Sequence, residues 1–302
     1  MKHRVLPVAA VLLAGCATTP KAPPAPETVE LRFAPKPGSA QIENVDVRTL
    51  RVDGREQERR TAMHATATVL EVPEGFALVN ENVRFESAAP SPLLDLAARI
   101  AEGFRLVVNR EGEIVSFHGL EELQPEIMRW FNGLKLGPVP PAVLEQMRAA
   151  ILEASDPQRI ADETAADWFE QVGAWNGKTL EIGRTYEAPA PATYRYRAIE
   201  RLPCTEGEKE PRCVRLELVS TPSEEARQQA KETLAPLLSA ADPNATTGPI
   251  EMENRVELVV VPETLDAYRM EERQIVRMTV TSGEKSVQVE RDDVETTTWR
   301  YE

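Results

Sequence analysis

The sequence offers few of the residues from which catalytic and metal sites are built. It contains three histidines and three cysteines in 302 residues. Beyond the N-terminal segment only His64 and His118 remain, and neither lies near a motif for a nucleophile or a metal. The patterns Gly-x-Ser-x-Gly and His-Glu-x-x-His are both absent. We therefore predict no catalytic residue, no metal ligand and no cofactor, and we expect a non-enzymatic protein.

Positive charge is also scarce. Lysine and arginine number 35 against 49 aspartates and glutamates, so the formal net charge is −14. A polyanion of this kind is a poor ligand for nucleic acid, and an anionic lipid surface would repel it. We expect no nucleic-acid partner, and we interpret the acidic surface as a device that keeps the folded protein in solution.

The apolar run at the N-terminus is too short to cross a membrane. It extends from Val5 to Leu13, behind the basic start Met1-Lys2-His3-Arg4. A spanning helix needs about 20 apolar residues, whereas the core of a secretory signal peptide needs only 7–15. The run ends in Leu13-Ala14-Gly15-Cys16. That tetrad resembles the lipobox of bacterial lipoproteins.

The lipobox resemblance implies a membrane anchor. In that family the signal peptide, here residues 1–15, is removed, and the new N-terminal cysteine, here Cys16, carries diacylglycerol and an acyl group. Ala17 stands where aspartate would favour retention in the inner membrane, so we expect an outer-membrane location with the domain facing the periplasm. Two simpler interpretations are a chance cysteine behind an apolar segment and an ordinary secreted protein with a free Cys16.

A proline-rich linker follows the anchor. Residues 16–28 include Pro20, Pro23, Pro24 and Pro26 and show no apolar periodicity, so we expect an extended spacer. Residues 29–302 are then predicted to form one periplasmic domain. Loss of Lys2 and Arg4 with the signal peptide would take the net charge to about −16.

The two remaining cysteines, Cys204 and Cys213, are predicted to form a disulfide. They flank a short polar loop between strand-like segments, Tyr194 to Leu202 and Val214 to Val219. An oxidising envelope favours such a bond. The alternative is a redox or metal pair, but the spacing is longer than Cys-x-x-Cys.

The order of predicted elements indicates an α+β fold. Strands are expected at 29–86, 194–219 and 256–301, a hairpin at 104–117, a loop at 242–249, and helices at 91–100, 120–134, 143–151 and 160–172. Asp156-Pro157 is expected to open the last of these helices, and a capping box at Thr221-Pro222-Ser223-Glu224 predicts a further helix that ends near Pro236. The simplest assembly is a curved antiparallel sheet with the helices packed on one face. In element order and compartment it resembles the half-barrel of periplasmic lipoprotein-carrier and lipid-handling lipoproteins. That resemblance brings no site residue with it.

One aromatic group could line a ligand site. Trp130, Phe131, Trp168 and Phe169 lie in the middle helices, with Trp175 beyond them. They could form ordinary core or line an apolar cleft under the helices. Two functions therefore remain open: binding of an acyl chain or another apolar ligand, and binding of another envelope protein.

Overall fold

The computed structural model of the protein describes residues 26–88, 92–133, 140–188, 194–222, 224, 227–228, 231, 245–283 and 285–301. The predictions for the signal peptide and Cys16, and part of the predicted loop at 242–249, lie outside these ranges. Most of a helix predicted to begin near Thr221 lies outside them as well. Within the described part of the chain, no helix is both long enough and apolar enough to cross a membrane.

Strands make up most of the described residues, and the fold is α+β with the sheet dominant. The strands are β1 (Thr28–Glu30), β2 (Gly38–Val52), β3 (Arg55–Val72), β4 (Gly75–Ser87), β5 (Arg105–Val108), β6 (Ile114–His118), β7 (Thr179–Glu181), β8 (Thr185–Glu187), β9 (Tyr194–Leu202), β10 (Cys213–Ser220), β11 (Ala245–Val260), β12 (Ala267–Ser282) and β13 (Lys285–Tyr301).

The helical elements lie between β4 and β7. They are α1 (Pro92–Glu102), α2 (Leu120–Gly133), α3 (Pro141–Ala154) and α4 (Pro157–Trp168), and α4 continues into a π-helical turn at Phe169–Gly173. As its sequence predicts, α4 begins at an N-cap, where the Asp156 carboxylate accepts a hydrogen bond from the Arg159 amide. Pro157 occupies the first helical position, where a missing N–H costs nothing.

One open antiparallel sheet of eleven strands organises the molecule. Its order is β6-β5-β4-β3-β2-β13-β12-β11-β10-β9-β8, and β1 pairs separately with β7. Some neighbouring strands are joined by tight turns, such as Asp53-Gly54 between β2 and β3, where both residues have positive φ. The pairing of β2 with β13 at the centre joins the first long strand to the last.

The two faces of the sheet differ in chemistry. We call the face that carries Leu216, Leu258 and Met270 the inner face, because these residues enter the main core with Trp168 and Trp175. The opposite, outer face carries ion pairs between neighbouring strands, such as Arg273–Asp292 at 2.7 Å. This alternation follows from the period of two residues along a strand.

The helices hold a core of their own. Leu96, Leu123, Ile127, Phe131 and Ile151 are buried together there, apart from the main core. Helix α1 packs along β4, whereas α2 and α3 pack chiefly against other helices. Contacts among the helices, rather than contacts with the sheet, therefore hold α2 and α3 in place.

Two local predictions had different outcomes. The hairpin at 104–117 is confirmed as β5–β6, with Gly112 at φ 80° in the turn. The loop prediction at 242–249 is wrong from Ala245 onward, because β11 begins there. Gly248 and Pro249 are accommodated by a register shift between Thr247 and Ile250, which is how a strand tolerates a proline that cannot donate to the ladder.

Candidate functional site

The predicted disulfide between Cys204 and Cys213 is present, with a Cα–Cα distance of 5.1 Å. It closes the loop that connects β9 to β10. The two cysteines form a small core with Val261, and Val259 and Tyr268 pack against it. The disulfide thus fixes the loop to the sheet beside it.

A β-bulge in β12 brings Tyr268 to this loop. Val259 pairs with Arg269 and Val260 pairs with Ala267, so Tyr268 is the extra residue. As a result Ala267 packs against the main core, whereas Tyr268 packs against the disulfide. A bulge commonly redirects a side chain in this manner.

Hydrogen bonds further order the disulfide loop. The Cys204 amide donates to Glu208 Oε2 at 3.2 Å, and the Arg212 guanidinium donates to Glu208 Oε1, also at 3.2 Å. Arg212 donates to the Tyr268 hydroxyl as well, with its guanidinium carbon 5.6 Å from the ring centroid. The loop is therefore held by covalent, polar and cation–π contacts at once.

A cleft of about 790 Å³ lies between this loop and the outer face of β10–β13. We call it the disulfide cleft. Its volume falls in the range typical of small-molecule sites. It is lined by Leu202, Pro203, Cys204, Thr205, Glu206, Gly207, Glu208, Arg215, Glu257, Val259, Tyr268, Arg269, Glu271, Thr296, Thr298, Trp299 and Arg300.

The arginines of the disulfide cleft are all ion-paired. The pairs are Arg215–Glu200, Arg269–Glu271 and Arg300–Glu43, with N–O distances of 3.1, 2.7 and 3.3 Å. Each guanidinium has five N–H donors, so most of its donors are left over after one such contact. The cleft therefore offers both hydrogen-bond donors and hydrogen-bond acceptors without a strong net charge.

A second unusual feature lies on the inner face. We call Asp167, Glu170, Glu272 and Glu295 the carboxylate cluster. Glu272 and Glu295 stand directly opposite each other on β12 and β13, an arrangement that like charges disfavour. Asp167 and Glu170, from the end of α4 and the π-helical turn, add their charges to the same region.

Burial and mutual repulsion disturb the titration of this cluster. Burial, together with the charges of Glu272, Asp167 and Glu295, raises the pKa of Glu170 to about 8. Burial and the Glu295 charge also raise the pKa of Glu272. Burial and neighbouring carboxylates raise the pKa of Asp167 to about 6, although Asp167 keeps more contact with solvent than Glu170 does. Asn254 Nδ2 lies 3.4 Å from Glu170 Oε1 as a neutral partner.

At neutral pH Glu170 therefore retains a proton that an ordinary glutamate loses. Within the described ranges, no group of three or more His, Cys, Asp or Glu side chains is placed to hold a metal ion.

The four aromatic residues predicted to line a ligand site do not come together. Phe131 is buried in the helical core at 3% exposure, and Trp130 packs beside it under the Arg99 guanidinium. Trp168 is buried in the main core, where its Nε1 donates to the Gly112 carbonyl at 2.7 Å. Phe169 is exposed and packs edge-on against Tyr194.

Trp175 and the two histidines that the sequence analysis singled out also lie apart from one another. Trp175 is fully buried, and its Nε1 donates to the Glu170 carbonyl at 2.6 Å. His64 Nε2 lies 3.7 Å from a carboxylate oxygen of Glu86. The ring of His118 bonds the Ser116 hydroxyl at 3.0 Å.

The residues of the disulfide cleft escaped the sequence analysis. Thr296 and Thr298 were part of a predicted strand, but nothing local indicates that their side chains would meet the disulfide loop. The regular mixing of arginine with glutamate between 251 and 277 was a visible sign of a charged sheet face. No model of a known protein family matches the chain, and no match to it is found among curated proteins.

Proposed function

We propose that this chain is a lipid-anchored, non-enzymatic protein of the bacterial envelope that binds an envelope partner at the disulfide cleft. The observation with most weight is the Cys204–Cys213 disulfide, because such bonds persist in oxidising compartments and are rare in the cytosol. Together with the lipobox ending at Cys16, it supports export followed by lipidation. The residue Ala17 supports an outer-membrane anchor facing the periplasm.

The contacts of Glu27, where the linker meets the domain, support a cleft close to the membrane. Glu27 is held to the domain by an ion pair of 2.8 Å with Arg201, and its carbonyl accepts from the Ile182 amide at 2.9 Å. Arg201 directly precedes the segment that lines the disulfide cleft. About 11 residues separate Glu27 from Cys16, and an extended chain of that length reaches at most about 40 Å. The lipid would therefore keep the disulfide end of the domain within that distance of the bilayer.

The version in which the partner is an acyl chain or another apolar ligand has less support. It was predicted from the half-barrel resemblance, and an open sheet with a helical layer still suits a curved half-barrel. Its expected aromatic lining, however, is divided between two cores. The disulfide cleft, with its ion-paired floor, suits a polar partner better.

Lipidation is tested with Cys16→Ser in a bacterial host fed an alkyne-labelled palmitate. We expect the variant to lose the label, and we expect the domain expressed from Glu27 onward to leave the membrane fraction, because its acidic charge provides no other attraction to anionic lipid. Thr19→Ser, three residues beyond the cysteine, is the matched control and should keep both the label and membrane attachment. Equal labelling of the Cys16→Ser variant would refute the anchor.

The binding site is tested with a photo-crosslinking amino acid placed at Thr298 inside the cleft. The matched control places it at Thr279, which lies on the outer face but does not line the cleft. Irradiation of whole cells should give an adduct from position 298 that is absent or much weaker from position 279. Equal adducts from both positions, or none from either, would count against the cleft as the contact surface.

A further inference from the structure

We infer that the disulfide cleft recognises a neutral oligosaccharide. The inference rests on the proposed function in taking this cleft as the binding site, and it adds the chemical class of the partner.

The floor of the cleft can recognise a ligand only through side chains. Strands β10, β11, β12 and β13 each have a hydrogen-bonded neighbour on both sides. Apart from the bulge at Tyr268, their backbone N–H and C=O groups are therefore committed to the sheet. An extended peptide that binds by adding a strand needs a free edge, and this floor has none.

The charges of the cleft favour a ligand without net charge. Arg215, Arg269 and Arg300 are each neutralised by a glutamate. An anionic ligand would also meet the lining carboxylates of Glu206 and Glu208. A neutral polar ligand can accept from the remaining guanidinium donors and donate to the carboxylates while the pairs stay intact.

An acyl chain fits this floor poorly. It would cover ion pairs with apolar atoms and remove water from them without replacing its hydrogen bonds. The hydroxyl groups of a sugar can replace those bonds. They donate and accept, as water does, so they satisfy both members of each pair.

The walls of the cleft supply hydroxyl groups and apolar surface, two further kinds of contact that a sugar ring makes with proteins. Thr296 and Thr298 stand two residues apart on β13, so their side chains share the outer face about 7 Å apart, and both line the cleft. Val259 and Leu202 add apolar surface beside the disulfide, against which the C–H face of a pyranose can pack, whereas the Tyr268 ring already contacts Arg212 and Tyr301. The volume of about 790 Å³ accommodates a short oligomer rather than a single ion.

The test titrates the full processed chain, purified in a zwitterionic detergent without sugar groups, with two soluble probes. These are the β-1,4-linked tetramer of N-acetylglucosamine and maltotetraose, followed by calorimetry. We expect saturable binding of at least one probe. Binding of the first alone indicates an amino-sugar strand as the natural source, and binding of the second alone indicates a neutral hexose polymer.

The variants identify the site of binding. Thr296→Val combined with Thr298→Val removes two hydroxyls but keeps β-branched side chains suited to a strand, and it should weaken binding at least about tenfold. Thr279→Val, on the same face outside the cleft, should leave affinity unchanged. Thermal unfolding of each variant shows whether the fold is retained.

Three results would overturn the inference. They are no binding of either probe at millimolar concentration, equal affinity of the double variant and the parent chain, and competition for the site by an unstructured peptide. If the crosslinker at Thr298 captured a protein while neither sugar bound, the saccharide assignment would fall and the proposed function would stand. If no adduct formed there, the proposed function would fall too.

Discussion

Replacing Glu170 with glutamine should make the stability of the domain less sensitive to alkaline pH. The carboxyl lies between the π-helical turn and the sheet, near Glu272 and Glu295, with a pKa of about 8. Glutamine has the shape of the protonated acid and can still accept from Asn254. The substitution therefore keeps the low-pH form of the site and removes its ionisation.

The size of the effect follows from the pKa. A carboxyl whose pKa rises from 4.5 unfolded to about 8 folded implies at most about 5 kcal/mol against the ionised form, at about 1.4 kcal/mol per pH unit. Because Glu170 retains some contact with water, we halve this to about 2 kcal/mol. The folded protein holds the proton that the unfolded chain releases, so the contribution of Glu170 to stability is highest below pH 4.5, falls as pH rises towards 8, and levels off above it.

Urea unfolding of parent and Glu170→Gln at pH 5, 7 and 9 measures this directly. The variant should match the parent at pH 5 and exceed it by about 2 kcal/mol at pH 9. Glu126→Gln, which removes an exposed carboxylate of α2 paired with Arg129 at 3.7 Å, should give a small difference that changes little with pH. A Glu170→Gln effect of the same size at pH 5 and pH 9 would show that the carboxyl titrates normally.

Two further predictions concern stability. Replacing both Cys204 and Cys213 with serine should lower the free energy of unfolding by about 2–3 kcal/mol, since the bond closes a short loop; an unchanged urea midpoint would contradict this. Gly75→Ala should cost more than about 2 kcal/mol, because φ is +145° and the new Cβ would lie 2.3 Å from the Val108 carbonyl oxygen. Gly54→Ala, with positive φ but open space around it, should cost only about 1 kcal/mol. Thermal unfolding of the two glycine variants and the parent measures both costs, and equal losses would contradict the prediction.

Features encoded locally were predictable from the sequence. The hairpin at Gly112, the N-cap at Asp156 and the disulfide depend on residues close together in the chain. The boundaries between strands were less predictable. Residues 29–86 were predicted as strand without a boundary near residue 55, and β3 begins at Arg55, where the residues are polar and exposed on both faces and leave no hydrophobic period to detect.

Features that join distant segments were not predictable. The carboxylate cluster depends on the register that places Glu272 opposite Glu295, and on α4 ending above that pair. The disulfide cleft depends on one extra residue, Tyr268, in the pairing of β11 with β12. The aromatic residues of the middle helices were predicted to be either core or the lining of one cleft, but the division of Trp168 and Phe131 between two cores and the exposure of Phe169 could not be read from spacing along the helices.

The central seam between β2 and β13 imposes an order on folding. Ala40 pairs with Tyr301 and Val52 with Val289, so the middle of the sheet closes only after nearly all of the described chain is available. Until then each half of the sheet exposes a long open edge, which is prone to pair with other chains, and distant pairing of this kind is slow. A chain synthesised N-terminus first would form the half-sheet of β2 to β6 before β13 exists, and during that interval the open edge of β2 could pair with strands of other chains.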